Sequence, residues 1–276
     1  MRRPTRQNKG KPGLREAVRR WSVRAVFWAV LGLAVAGLLT GLLFGLHHLL
    51  VSGNPYFVLR RISLQGNRSL TENAVRARLE GAGAVVGVSN LMTLRVRRLR
   101  EALERDPLIA RAELMRRVPD LLEVSVVERV PIAVVRSRPL YFIDGEGVVL
   151  PWRDISKERL LPAITAVRNA AKLTAGELAQ DEALRGAVRF LRLLARRADG
   201  VSYDVEVIQL DYQLPSLQVH LRARSTFTAG AIVVVPVQGM EEALDRLRDI
   251  HRIRTASGKA TTFVDVTYSR NVPVRP

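Results

Sequence analysis

Residues 110–127 read ARAELMRRVPDLLEVSVV. Ala110, Ala112 and Leu114 alternate with Arg111 and Glu113. After a turn at Val118-Pro119-Asp120, Leu122, Val124 and Val126 alternate with Glu123, Ser125 and Val127. Side chains along a strand point to opposite faces in turn, so this stretch predicts an antiparallel hairpin with one buried face. Working back from it, Asp106-Pro107 ends a helix expected from about Leu94 to Arg105, with Val96, Leu99 and Leu103 at helical spacing. Before that, Ser69-Leu70-Thr71-Glu72 is a capping-box pattern, Val75 and Leu79 mark one face of a short helix, and Gly81 and Gly83 stop it. A strand-like run from Phe57 to Leu64 precedes that helix, ended by Gly66-Asn67. The expected order is β-α-α-β-β.

Further back the chain changes character. Residues 25–59 carry no charge, and their centre, residues 25–46, reads AVFWAVLGLAVAGLLTGLLFGL. A bilayer core takes about 20 apolar helical residues, so one transmembrane helix is expected, over residues 25–51. Residues 1–24 hold nine Arg or Lys against Glu16 alone and form a basic tail broken by Pro4, Pro12 and Gly13. Short basic flanks stay in the cytoplasm, which predicts N-terminus in and the bulk of the chain outside. A cleaved signal peptide is the rival. Its apolar region would be shorter, and the Ala34-Val35-Ala36 that could serve it lies mid-span. Gly37, Gly41 and Gly45 line one helix face and offer close packing to a second helix.

The net charge is +18, of which the tail holds +8. Topology and anionic headgroups explain that tail. The remainder has few aromatics and no basic cluster with base readers, so nucleic-acid binding is not expected. With no cysteine, disulfides, thiolate metal sites and a cysteine nucleophile are excluded.

The second outer block, residues 131–276, begins with the strand Leu140-Tyr141-Phe142-Ile143, a tight turn at Asp144-Gly145-Glu146-Gly147, and a return at Val148-Val149-Leu150. Thr174 with Glu177 reads as another capping box. The helix after it buries Leu184, Ala187, Val188, Leu191 and Leu194. Strands are expected near 204–211, 216–223 and 231–235, a helix at about 239–254, and a last strand from Thr262 to Tyr268. There Val264 and Val266 share one face, with Phe263, Asp265 and Thr267 on the other. The fold class is α+β: a transmembrane helix, the β-α-α-β-β unit at 57–130, and a mixed α/β domain with an antiparallel sheet.

Five stretches of the two outer blocks carry a resemblance. Arg116-Arg117-Val118-Pro119-Asp120-Leu121-Leu122-Glu123-Val124 is followed by Val127-Glu128-Arg129-Val130-Pro131-Ile132-Ala133. Further on come Phe142-Ile143-Asp144-x-x-Gly147, Leu161-Pro162 and Phe263-Val264-Asp265-Val266-Thr267-Tyr268. Together, in this order and behind one membrane span, they resemble the bacterial cell-division family FtsQ, called DivIB in Gram-positive bacteria. The first outer block then resembles its POTRA domain. Val118 stands where the family usually has Trp, and Thr267 where it has Arg. The resemblance implies a non-enzymatic divisome scaffold of the inner membrane, located at the division septum, with no cofactor. It implies binding of an FtsB/FtsL coiled-coil pair through the last strands, at Phe263, Asp265, Thr267 and Tyr268. It also implies links to FtsK-like and FtsW/FtsI-like components, and places Arg111, Leu114 and Arg116 at recruitment-sensitive hairpin positions.

The residues supply no rival chemistry. The four histidines, His47, His48, His220 and His251, have no metal-ligand spacing, and no Gly-x-Ser-x-Gly elbow is present. Asp144 and Glu146 read as a solvated hairpin turn, and Arg95-Arg97-Arg98-Arg100 as a solvated helix face. The alternative function is a POTRA-bearing envelope transport or assembly factor. It is weakened because this chain has one such unit and no series of amphipathic ten-residue strands. A membrane-anchored hydrolase comes third, for want of a nucleophile.

Overall fold

The computed structural model describes residues 14–66, 68–152, 161–197, 203–222 and 227–276. The first half of the expected basic tail, Asn67 and the last residue of the strand expected at 216–223 lie outside them. Helix α1 runs Leu14–His47 and continues into one π-type turn, His48–Ser52. Among the described residues one helix is long and apolar enough to cross a bilayer, Val26–Ser52, and none of its apolar window is buried by the rest of the chain.

The chain divides into two compact units. The first gathers Met1–Arg61 with the loops Val85–Leu94 and Arg116–Leu122; the second holds the remainder.

Within the second unit, α2 (Glu72–Gly81) and α3 (Val96–Glu104) lie against each other and bury Val75, Leu79, Leu99 and Leu103. They belong to the predicted order. Strands β1 (Arg61–Gln65), β2 (Ile109–Arg117) and β3 (Leu121–Glu128) form a three-stranded sheet in the order β1-β3-β2. Its buried residues are Ile109, Ala112, Leu114, Leu122, Val124 and Val126. The alternating set read from the sequence is buried except for Ala110, which is half-buried while Ile109 takes the buried place at the strand's start. The helix start differs in detail. Thr71, not Ser69, is the N-cap, accepting from the N–H of Ala74 at 3.3 Å. Ser69 is instead drawn into a bond with Glu128. Gly66 has φ +83°, and a Cβ there would meet the carbonyl oxygen of Val126 at 2.2 Å. Only glycine lets the strand end pass so close.

Among the described residues, nine strands make the large sheet, in the order β12-β11-β10-β9-β8-β7-β4-β5-β6. They are β4 (Pro131–Val135), β5 (Tyr141–Asp144), β6 (Val149–Pro151), β7 (Ala163–Thr165), β8 (Val205–Asp211), β9 (Ser216–Leu221), β10 (Phe227–Pro236), β11 (Thr261–Asp265) and β12 (Val274–Arg275). The sheet is mixed rather than antiparallel throughout, because β4·β7, β7·β8 and β10·β11 pair parallel. Strands β4 and β7 escape a sequence reading. Each has at most five residues, with no clean alternation to mark it.

Helices α4 (Glu182–Arg196) and α5 (Met240–Ala256) pack on this sheet. The core between them holds Leu184, Ala187, Val188, Phe190, Ile208, Leu217, Val219, Val233, Val235, Leu244 and Leu247. The cap of α4 is Asp181, whose carboxylate accepts from Ala183 at 2.9 Å and Leu184 at 3.1 Å. The capping box expected at Thr174 is a turn instead. Glu177 and Gly176 there trade backbone bonds with Val149 at 2.9 and 2.8 Å. Pairing with a neighbouring strand outcompetes helix initiation at that site.

Candidate partner-binding surfaces

Strand β11 lies parallel to β10, with Ile232 opposite Phe263, Val233 opposite Val264 and Val234 opposite Asp265. Val264 and Val266 are fully buried, Phe263 and Asp265 half-buried, and Thr267 and Tyr268 exposed. The two-faced reading of this segment describes the burial. Its length does not. The strand ends at Asp265, three residues short of Tyr268, because the Asp265 carboxylate folds onto the next turn. It accepts from the N–H of Thr267 at 3.0 Å and from its hydroxyl at 2.6 Å. That backbone donor is therefore used locally, neither by a neighbouring strand nor at an open edge. Arg246 reaches the carbonyl of Val266 at 2.9 Å and fixes the turn from the α5 side.

The outer edge of β11 is not open either. Strand β12 runs antiparallel along it, pairing Arg275 with Phe263 and Val274 with Val264. Asp265 donates to the carbonyl of Pro273 at 3.0 Å, and the Thr262 hydroxyl donates to that of Pro276 at 2.5 Å. The Arg275 guanidinium lies 5.2 Å from the Phe263 ring centroid. In an antiparallel ladder each second residue turns its backbone groups outward. Bonding at Pro273 and pairing at Arg275 leave the N–H of Val274 facing out. The prolines on its two sides at 273 and 276 have no N–H to add. The last edge of the sheet is thus a two-residue strand with one outward donor.

The hairpin residues separate. Arg111 is exposed on strand β2, an edge strand of the small sheet. Leu114 is 6% exposed and belongs to the core. Arg116 bends to donate to the carbonyl of Leu94. Of the three, Leu114 offers no exposed side chain, whereas Arg111 and Arg116 are exposed. On α1, a Cβ built at Gly37, Gly41 or Gly45 meets nothing within 4 Å, so among the described residues nothing covers that stripe.

The motif around residues 128–147 has an internal role. Glu128 accepts N–H bonds from Arg68 at 2.8 Å, Ser69 at 3.0 Å and Leu70 at 2.9 Å, and a bond from the Ser69 hydroxyl. Burial opposes ionisation there, but the Ser69 hydroxyl and these N–H groups outweigh it and hold the carboxyl below its usual range. The adjacent Arg129 turns the other way, to Asp144 at 2.7 Å and Glu146 at 2.7 Å. Asp144 is only 4% exposed and also accepts from the N–H groups of Glu146 and Val148, at 2.9 and 2.8 Å. The solvated turn expected at Asp144 is instead a buried anchor. Glu128 and Arg129 tie the small sheet and the β5–β6 turn to one peptide. Sequence reading quoted these residues without finding that task; the signal available was an acid and a base side by side at the end of a strand.

A profile described as POTRA domain, FtsQ-type, matches residues 57–129. The chain is 25% identical over 236 residues to the cell division protein FtsQ of Geotalea daltonii, covering 84% of this chain and 80% of that protein. It is 28% identical over 260 residues to the cell division protein FtsQ of Myxococcus fulvus, covering 92% and 84%. A shorter match, 40% identical over 109 residues, is to the FtsQ of an Anaeromyxobacter species, with 38% and 36% covered.

Proposed function

We propose that this chain, which belongs to the FtsQ/DivIB family of cell-division proteins, acts in division as a non-enzymatic scaffold that docks a partner strand at the β11 end of its large sheet. The chain is a single-pass membrane protein with a role in cell division. The partner is an FtsB/FtsL-like coiled-coil pair, and FtsK-like and FtsW/FtsI-like components gather through it at the septum. Phe263, Asp265, Thr267 and Tyr268 supply side-chain contacts, while the backbone of β11 supplies strand pairing. Arg111 and Arg116 form a second contact on the hairpin, with Leu114 acting through its packing. Gly37, Gly41 and Gly45 receive a partner helix in the membrane. The small sheet at 57–130 and the large sheet at 131–276 are separate working parts, with the tail cytoplasmic and both sheets outside.

The observation that carries this reading is the weak closure of the sheet. Among the described residues the large sheet ends on a two-residue strand, Val274 and Arg275, with Pro273 and Pro276 beside it. An incoming strand that displaces residues 271–276 gains the full length of β11. The test is depletion in the native host with complementation. Loss of the chain produces filaments or enlarged undivided cells. The full chain restores division, and a chain carrying charge-reversed Asp265→Lys with Tyr268→Ala does not, at equal protein level. Normal division after depletion, or full rescue by the double variant, overturns the proposal.

A further inference from the structure

The first unit shows how the membrane helix is held. A helix end leaves its last carbonyls without helical partners. Here a side chain distant in sequence supplies them. The Asn90 amide donates to the carbonyls of Val51 at 2.9 Å and Ser52 at 3.1 Å, and lies 3.4 Å from that of Asn54. Its own carbonyl oxygen accepts from the N–H of Met92 at 2.9 Å, which fixes the amide's orientation. The strap continues along the backbone. Leu91 donates to Phe57 at 2.7 Å, Leu59 to Ser89 at 2.8 Å and Gly87 to Leu59 at 2.7 Å. Arg60 and Arg61 both donate to the carbonyl of Asp120, at 2.9 and 3.2 Å. The chain leaving the helix is captured by both loops of this unit before it becomes a strand.

Lengths set the height of these loops. The apolar helix has 27 residues, about 40 Å at ~1.5 Å per residue. The hydrocarbon core is about 30 Å thick, so the helix end reaches into the headgroup layer. Asn90 touches that end. Val88 and Met92 are two residues from Asn90, within about 8 Å of it. Val88 is 76% exposed, and Val118 and Tyr56 in the same unit are 59% and 62% exposed. Beyond the helix, the unit carries Arg60, Arg61, Arg116 and Arg117 against Asp120 alone. Apolar tips beside arginines suit an anionic interface, where chain and cation meet acyl boundary and phosphate.

We propose that the loops Val85–Leu94 and Arg116–Leu122 rest in the headgroup layer of the bilayer that α1 crosses, bound to anionic lipid, with Asn90 holding the helix end against them. The proposal rests on α1 spanning the membrane, and the experiment separates the two. The chain has no cysteine, so single cysteines label cleanly. Full-length Val88→Cys, Val118→Cys and Leu38→Cys, each carrying an environment-sensitive dye, are reconstituted into phosphatidylcholine vesicles with and without phosphatidylglycerol. Nitroxide-bearing lipids serve as quenchers, and vesicles without nitroxide as the reference. Leu38→Cys is quenched by tail nitroxides if α1 inserts; its failure refutes the span and not the seat alone. With Leu38→Cys quenched, Val88→Cys and Val118→Cys lose emission to headgroup nitroxides. The loss is greater with phosphatidylglycerol and shrinks in high salt. Emission from Val88→Cys and Val118→Cys as high as in vesicles without nitroxide overturns the proposal. Equal quenching with and without phosphatidylglycerol overturns its anionic-lipid part. Adding Asn90→Ala reduces quenching at Val88→Cys, and unchanged quenching there overturns the role given to Asn90.

Discussion

The junction at residues 128–147 is held by side-chain bonds and the end of the large sheet at residues 261–276 chiefly by backbone pairing, and they are built to opposite ends. At the junction, charge is matched on both sides: half-buried Glu128 takes three N–H groups and a hydroxyl, and half-buried Arg129 takes the carboxylates of buried Asp144 and exposed Glu146. At the sheet end, the covering strand has two residues, held by pairing with Phe263 and Val264, by the bonds at Pro273 and Pro276, by Arg275 over Phe263 and by the partly buried Val272 and Val274. Both stretches carry the family resemblance. At the junction the residues of that pattern are used by the fold itself; at the sheet end the proposed function assigns them to a partner strand. Changes at the junction should therefore register in stability, and changes at the sheet end in binding.

The largest effect is expected at Arg129. Arg129→Ala leaves Asp144 buried without its counter-charge, and removing one partner of a buried pair costs about 3 kcal/mol or more. Thermal unfolding of the purified full chain measures it. Trp152 stacks on Phe142 with centroids 4.8 Å apart, next to this turn, and serves as the reporter. A melt within a degree of the unchanged chain would remove the junction from this comparison.

Glu128 comes next. Glu128→Gln keeps the shape but loses charge-assisted bonds, at about 1.5 kcal/mol. Because its folded-state pKa lies below the unfolded value, the charge stabilises the fold above the unfolded pKa, about 4.3. That contribution fades as pH falls through the depressed folded value. The stability gap between the unchanged chain and Glu128→Gln should be constant near neutral pH and narrow in acid. A gap that widens in acid would contradict the depressed pKa.

Ending the chain at Arg270 removes β12 and exposes part of Val272 and Val274's partners. Only half-buried side chains are lost, so the expected cost is roughly 1 kcal/mol. Affinity for the strand-bearing partner should rise, since nothing then needs displacing. Co-purification titrations with the FtsB/FtsL-like pair read it. Weaker binding by the shortened chain would mean that the partner adds outside β12 instead of replacing it.

What the sequence disclosed follows from how local the signals are. The hairpin at 110–127 was legible because its alternation is long and one face is fully buried. Helices α2, α3, α4 and α5 were legible from spacing. Strands β4 and β7 were not, being short, paired on both sides and bounded by nothing unusual. Thr174-x-x-Glu177 shows the reverse failure: a valid local helix signal lost to pairing with Val149. Asp144 looked solvated because a turn carboxylate carries no mark of the arginine that will bury it. Asn90 gave no signal at all, since its three carbonyl neighbours lie 36 to 39 residues away. For the candidate edge, the two faces of residues 263–266 were legible, whereas its cover by residues 273–276 needed the fold.

The smallest stability effect is expected at Tyr268. It is 55% exposed and lies beyond the end of β11. Tyr268→Ala should change stability by no more than about 0.5 kcal/mol, as surface changes away from special features do. Thr267→Pro makes the matching control. It removes the N–H that Asp265 accepts and loosens the turn that presents Tyr268, yet takes no bond from β10 or β12. If the sheet end works by presenting side chains to a partner, both variants melt near the unchanged chain and both lose the FtsB/FtsL-like pair. If it works through backbone pairing alone, Tyr268→Ala binds normally, because the pairing length of β11 is untouched. Should both variants bind normally, residues beyond Asp265 have no part in docking. The partner's footprint would then be confined to Thr261–Asp265 and the space that β12 occupies.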